Sequence, residues 1–333
     1  MTESIPWLER TREAAIEPEL PVCDPHHHLW VHPTSRYLLD ELLADIDGGH
    51  RVLSTVYVEC QQFYRTDGPV ELRPVGETEF VESVAAGHAR ATGRRNVAAG
   101  IVGFADLRLG AAVLPVLEAH LAASNRFRGV RYATAWDASS EIRRAHTDPP
   151  PGLLGDGAFR AGLACLGGLG LSFDAWLYHP QFGELAELAQ ALTGLTIVLN
   201  HLGGPLGIGP YAARREAVFE AWRSGLAALA QYPNVYVKLG GRTHTMSGFG
   251  WHRRERPPGS TELSTAMAPY YHAAIELFGP SRCMFESDFP VDRASCSYTV
   301  LWNAFKLLTR AYSAEERRAL LHDTAVRVYR LAE

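Results

Sequence analysis

The sequence predicts an α/β fold, a distorted (β/α)8 TIM barrel with a C-terminal helical extension. Eight short apolar or β-branched runs alternate with segments whose apolar residues recur at helical spacing, the order that a parallel sheet with helical crossovers requires. Most of the runs end in side chains able to do chemistry, as barrel strands do at their C-terminal mouths. The Gly-x-Gly-x-x-Gly turn expected after the first strand of a doubly wound nucleotide-binding sheet is missing.

The first run, 22–28, reads Val-Cys-Asp-Pro-His-His-His. Alternate side chains of a strand share a face, so His26 and His28 point one way with Asp24 below them, and His27 points the other. A helix is expected over 38–46. Strands over 52–60, 97–106, 127–132, 169–178, 195–201, 234–240 and 282–289 are followed by helices over 77–91, 113–123, 158–166, 182–192, 215–229, 266–278 and 301–311. Ser313-Ala314-Glu315-Glu316 has the form of a capping box and opens a terminal helix, so 312–333 is the helical extension. Residues 1–20 form an N-terminal extension. No Gly/Ser linker or composition shift divides the chain, and 333 residues suit one large barrel, so 1–333 is expected to be a single unit. Two long loops, 136–151 and 241–264, are expected at the rim of the active site.

Composition narrows the function. With 32 Lys+Arg against 37 Asp+Glu the net charge is -5, which leaves no basic surplus for nucleic acid or an anionic membrane. Five cysteines, odd in number and without a C-x-x-C pair, indicate neither a disulfide framework nor a thiolate zinc site; they read as reduced thiols. The first twenty residues lack an apolar signal core, and no apolar run approaches the roughly 20 residues of a membrane span. A soluble, cytoplasmic protein is expected.

At the strand ends stand His26, His28, Glu59, Gln61, Asp106, Arg131, His179, His201, Lys238, Glu286 and Asp288. A lone His-x-His is as a rule a solvated turn, and Lys238 or Glu59 taken singly could be a structural ion-pair partner. A whole ring is different. Each such charge buried alone costs several kcal/mol, so together they imply a polar site in which they satisfy one another or a metal. Two other hydrolytic classes find no support: Met246-Ser247-Gly248 has Thr245 where a Gly-x-Ser-x-Gly elbow needs glycine, and there is no P-loop.

Five segments carry a family resemblance: Asp24-Pro25-His26-His27-His28-Leu29-Trp30, Leu171-Ser172-Phe173-Asp174, Leu199-Asn200-His201-Leu202-Gly203-Gly204-Pro205, Val235-Tyr236-Val237-Lys238-Leu239 and Met284-Phe285-Glu286-Ser287-Asp288-Phe289-Pro290-Val291-Asp292. In this order they resemble the amidohydrolase-2 family of the amidohydrolase superfamily, nearest its branch of sugar-acid lactonases and a dicarboxypyrone lactonase. The resemblance runs from about Pro21 to the C-terminus. It implies His26 and His28 as first-strand metal ligands, His201 as the sixth-strand histidine, and Asp288 as the eighth-strand carboxylate that binds metal and manages the proton. Where many superfamily members carry a metal-bridging lysine on the fourth strand, this chain has Gly129-Val130-Arg131, which argues against a binuclear centre. The branch also includes a metal-free enzyme.

The expected site follows. One divalent ion, Zn2+ or a similar metal, suits His26, His28, His201 and Asp288, and activates water for hydrolysis; a metal-free mechanism stays open. Catalysis is assigned to Asp288, His201 and Arg131. Arg131, a fork of donors that does not deprotonate, suits a substrate carboxylate or a developing oxyanion. Substrate binding is assigned to Glu59, Gln61, Arg131, His179, Lys238, Trp251 and His252. Of these, Trp251 and His252 lie in an aromatic, basic loop that could close over an anionic ring, although a plain surface loop reads equally well. The expected activity is hydrolysis of a lactone, from a sugar acid or an aromatic-degradation intermediate, with a small anionic substrate and with room for a homodimer. A metal-dependent decarboxylase of the same family and a non-catalytic ligand-binding barrel are the alternatives.

Overall fold

A computed structural model of the chain describes residues 6–94 and 96–332. All eight expected strands form: β1 (Pro21–His27), β2 (Arg51–Val58), β3 (Gly100–Gly103), β4 (Phe127–Ala133), β5 (Ser172–Trp176), β6 (Ile197–Leu199), β7 (Val235–Leu239) and β8 (Cys283–Phe285). They lie in chain order in one sheet, each parallel to the next. The helices α1 (Leu39–Ile46), α2 (Val75–Thr92), α3 (Leu114–Ala123), α4 (Gly157–Gly168), α5 (Phe182–Ala191), α6 (Arg215–Ala230), α7 (Ser260–Phe278) and α8 (Tyr298–Leu308) fall between and after them, completing a (β/α)8 barrel.

The strands are shorter than the apolar runs, and the backbone shows why. His201, Leu202 and Asp288 take φ of 54°, 57° and 55°, left-handed values that a ladder does not accommodate, so β6 and β8 stop before the residues that carry the chemistry. The barrel closes at that same height. Beyond β8, His27 bridges Phe289, His28 N–H donates to the Phe289 carbonyl (2.8 Å) and Asp288 N–H to that of His26 (3.0 Å). Asp24 clasps the seam, accepting from the Ser287 N–H at 2.9 Å and hydroxyl at 2.6 Å. His27 does point away, its Nε2 3.0 Å from the Thr55 hydroxyl.

Inside the barrel, Cys23, Val56, Val58, Val102, Val198 and Met284 form an apolar cluster with Ala325, Val328, Tyr329 and Leu331 of the C-terminal segment. That segment therefore packs against the barrel interior. It is one uninterrupted helical run, opened at Ala314 by the Ser313/Glu316 capping box and ending at Val328, with a wider turn inside it at Ala319–Asp323. The N-terminal extension straps the loop before α7, with Trp7 Nε1 donating to the Arg254 carbonyl (2.9 Å) and Thr11 Oγ1 to that of Pro257 (2.7 Å). Glu13 accepts from the Ser260 N–H (2.8 Å), a cap from a distant residue that lets α7 start six residues earlier than its apolar spacing indicates. Among the described residues no helix is long and apolar enough to cross a membrane.

Candidate active site

The sequence puts His26 on β1 and His201 and Asp288 just past β6 and β8, and the barrel brings them together. One ligating atom from each lies within 4.8 Å of the others. Asp288 Oδ1 is 3.6 Å from His26 Nε2, 3.8 Å from His201 Nε2 and 3.3 Å from His28 Nε2. Glu286 orients two of these rings from behind: Oε1 accepts from His201 Nδ1 at 2.7 Å and from the His201 N–H at 3.0 Å, and Oε2 lies 2.7 Å from His26 Nδ1. A carboxylate behind two imidazoles fixes which ring nitrogen faces the site. His28 is held differently, Nδ1 at 2.8 Å from the Val58 carbonyl.

Charge shapes these groups. Burial opposes ionisation of Asp288, but His201 and His28 outweigh it and hold the carboxyl at about 2. Burial, then the Lys238 charge, presses His26 well below the usual imidazole range, so it is neutral. For His201 burial is outweighed by Asp288 and Glu286, and its pKa rises. Both rings face Glu286 and Asp288, and they differ because His26 also has the Lys238 ammonium 3.3 Å from its Nδ1.

Above this floor opens a cavity of about 500 Å³. Of the expected site residues, His28, Gln61, Arg131, His201 and Asp288 line it. The others do not. Lys238 is fully buried, its Nζ 2.8 Å from Asp174 Oδ2, 3.3 Å from His26 Nδ1 and 3.9 Å from Glu286 Oε2, and it does not line the cavity. Glu59, also fully buried, accepts from Arg131 Nε at 2.8 Å and lies 3.3 Å from His146 Nε2. Arg131 also donates to the Glu59 carbonyl, and its Nη1 stands 3.4 Å from His26 Nε2. The fork expected to clamp a substrate is thus largely committed to Glu59. His179 packs edge-on to Tyr211 outside the cavity, and Asp106 caps the turn after β3 and pairs with Arg108. Trp251 is buried and stacks on Phe249 at 4.3 Å, which in turn lies under the guanidinium of Arg215 on α6, and neither Trp251 nor His252 lines the cavity.

Comparison with known proteins gives the family. The model of the family described as Amidohydrolase matches residues 23–331. The chain belongs to the amidohydrolase family. This amidohydrolase is 32% identical to the uncharacterized protein y4mH of Sinorhizobium fredii, covering 94% of this chain and 99% of that protein. It is 27% identical to an L-fucono-1,5-lactonase of Burkholderia multivorans, with 93% and 96% covered. A crystal structure of an amidohydrolase from Burkholderia multivorans with bound zinc superposes with a TM-score of 0.71 at 24% identity, over 93% of this chain and 99% of that one.

The donor set of this amidohydrolase fits a divalent metal. His26, His201 and Asp288 supply two imidazole nitrogens and a carboxylate oxygen, all buried, and one carboxylate, Glu286, backs both rings. His28, expected as a further ligand, is outside the group whose atoms all lie within 4.8 Å. Several cavity residues escaped the sequence reading. His244 and Met246 come from the expected long loop after β7, and Arg143, Arg144 and His146 from the one after β4, while Trp30 and His32 lie on an unexpected hairpin strand, Trp30–His32. For the loop residues, loop length was the only signal. Which loop residue turns inward depends on contacts with other parts of the chain.

Proposed function

We propose that this amidohydrolase opens a cyclic ester, the lactone of a sugar acid or of an aromatic-degradation intermediate. The observation that carries the reading is Asp288 Oδ1, placed among three imidazole Nε2 atoms on the floor of an open cavity. The similarity to an L-fucono-1,5-lactonase over nearly both whole chains supports the lactone as substrate class. His26, His201 and Asp288 would hold the metal, and the zinc of the related crystal structure supports Zn2+. When bound, such an ion polarises the ester carbonyl and lowers the pKa of water.

The chain's own residues do the rest. Asp288, held ionised, accepts the proton of the attacking water. As the carbonyl carbon gains the water oxygen and the ring C–O bond breaks, the proton passes to the leaving alkoxide, giving a hydroxy acid. In the metal-free version His201, whose Nε2 is 3.8 Å from Asp288, would share that proton; with a metal bound that nitrogen would be a ligand and the proton would stay with Asp288. Glu286 keeps the rings of His26 and His201 in place through the cycle. A metal-free version of the same hydrolysis is favoured by one observation, Arg131 Nη1 standing 3.4 Å from His26 Nε2, the atom a metal would take.

The test combines metal analysis of the purified protein with a lactone panel followed by proton release. Asp288→Asn should keep the fold and lower kcat by about 10³-fold. Near-native turnover in that variant removes Asp288 from the chemistry. Full activity after chelation selects the metal-free version, and release of CO2 without ring opening identifies a decarboxylase instead.

A further inference from the structure

A histidine on a cavity wall is ordinarily just solvated, with either ring nitrogen free to carry the proton. His244 is different. Its Nδ1 accepts from the Met246 N–H at 3.2 Å, and a ring nitrogen that accepts from a backbone donor carries no proton of its own. Burial lowers the pKa of the ring, outweighing the Asp288 charge that opposes it, so the imidazole is neutral and its one N–H is on Nε2. That nitrogen has no hydrogen-bond partner among the described residues, and the ring lines the cavity together with Asp288 and His201.

The loop that carries His244 is pinned on several sides. Gly241, with φ of 65°, leaves β7 so close to His201 that a Cβ on it would stand 2.6 Å from the His201 Cβ. Arg242 is buried over the Tyr270 ring at 4.1 Å, and its Nη1 donates to the Pro205 carbonyl at 2.7 Å. The Thr243 carbonyl accepts from the Ser295 hydroxyl at 2.6 Å, and the Met246 carbonyl from the Gly207 N–H at 2.8 Å. A donor fixed in place before substrate arrives costs no reorganisation during the reaction. Its fixed tautomer also says which atom it serves. A substrate hydroxyl donates and accepts, so either ring form meets it; only an oxygen that solely accepts requires the N–H form. A lactone has two such oxygens, and the carbonyl oxygen is the one that a metal held by His26, His201 and Asp288 would polarise. The ring oxygen is left.

From this we infer that His244 is a catalytic residue that donates a hydrogen bond from Nε2–H to the ring oxygen of the lactone, the oxygen that leaves. The inference rests on the lactonase reading for the reaction. As the ring C–O bond breaks, its electron pair stays on that oxygen; the proton that neutralises the alkoxide comes from Asp288, and His244 keeps its own throughout. The donation counts most where charge builds up most, on the poor leaving group of an aliphatic lactone, and least on a phenoxide. Loss of one preorganised donor of this type lowers kcat by about 10²- to 10³-fold.

The experiment compares δ-valerolactone, which releases an alkoxide, with dihydrocoumarin, which releases a phenoxide, in the wild type, His244→Phe and His244→Gln, with folding checked by circular dichroism. His244→Phe keeps a ring and removes the donor. It is expected to lower kcat on δ-valerolactone by about 100-fold with KM little changed, and on dihydrocoumarin by less than about fivefold; His244→Gln, which restores an N–H donor, should recover about tenfold of the larger loss. Equal losses on the two rings, or near-native kcat of His244→Phe on both, overturn the inference and leave the lactonase reading standing. Nitrogen NMR of the wild-type ring gives a check that needs no turnover: a neutral Nε2–H tautomer at neutral pH supports the donor, and an Nδ1–H form or an imidazolium overturns it. Should the wild type open neither ring, the lactonase reading fails for both and the inference falls with it.

Discussion

Replacing Lys238 by methionine separates two roles that the sequence leaves open, substrate contact and internal brace. In the structure the ammonium is fully buried, 2.8 Å from Asp174 Oδ2 and 3.9 Å from Glu286 Oε2, over the Tyr329 ring. Methionine keeps most of the volume but removes the charge. Asp174 then retains the Tyr329 hydroxyl at 2.8 Å and Asn200 Nδ2 at 3.0 Å, both neutral donors, and Glu286 loses its nearby cation. Removing one partner of a buried ion pair costs about 3–5 kcal/mol. At roughly 2 cal/mol/K per residue the unfolding entropy of a chain this long is about 0.7 kcal/mol/K, so Tm should fall by about 4–7 °C. The assay is thermal unfolding of wild type, Lys238→Met, Asp174→Asn and the double variant. The double variant should lose less than the sum of the singles, by about 1–3 kcal/mol, because the two groups share one interaction. Unchanged Tm together with a raised KM would refute the brace and return Lys238 to the substrate site.

Two further outcomes follow from the same geometry. His26→Ala should abolish tight metal binding, whereas His28→Ala, outside the closely spaced donor group, should weaken it by about 10–100-fold; metal content after dialysis against a graded chelator distinguishes them, and equal loss would make His28 a full ligand. Glu77 is buried beneath the loop that carries Gln61, its Oε1 accepting from the Tyr57 hydroxyl and from Cys60 and Gln62 N–H. Burial, then the Glu59 charge, raises its pKa to about 7, above the roughly 4.3 of an unfolded glutamate. A raised carboxyl pKa contributes stability that is complete below about pH 4 and is lost as pH rises through 7, on the order of 1–3 kcal/mol by pH 8. Glu77→Gln should therefore flatten the urea-midpoint profile between pH 5 and 8 relative to wild type, and parallel profiles would count against a protonated Glu77.

The barrel was legible because its signal is periodic and local. Apolar runs of strand length and segments of 3.6-residue spacing alternate along the chain, and period 2 alone puts His26 and His28 on one face. His201 and Asp288 were legible because a charged or imidazole side chain at the end of an apolar run has no core role there. What the sequence could not assign is which members of the polar ring face the cavity and which face one another. Lys238 turns to Asp174 and Glu59 takes up Arg131, each partner more than 60 residues away, and Trp251 stacks on Phe249, which lies under Arg215 of α6. The cavity walls are equally nonlocal, since Arg143 is held by Tyr178 and His244 arrives on a loop braced from Gly207. Periodicity along one strand says which face a side chain takes. Only closure of the barrel, with left-handed turns at His201 and Asp288 and the Asp24 clasp across the seam, decides what it meets there.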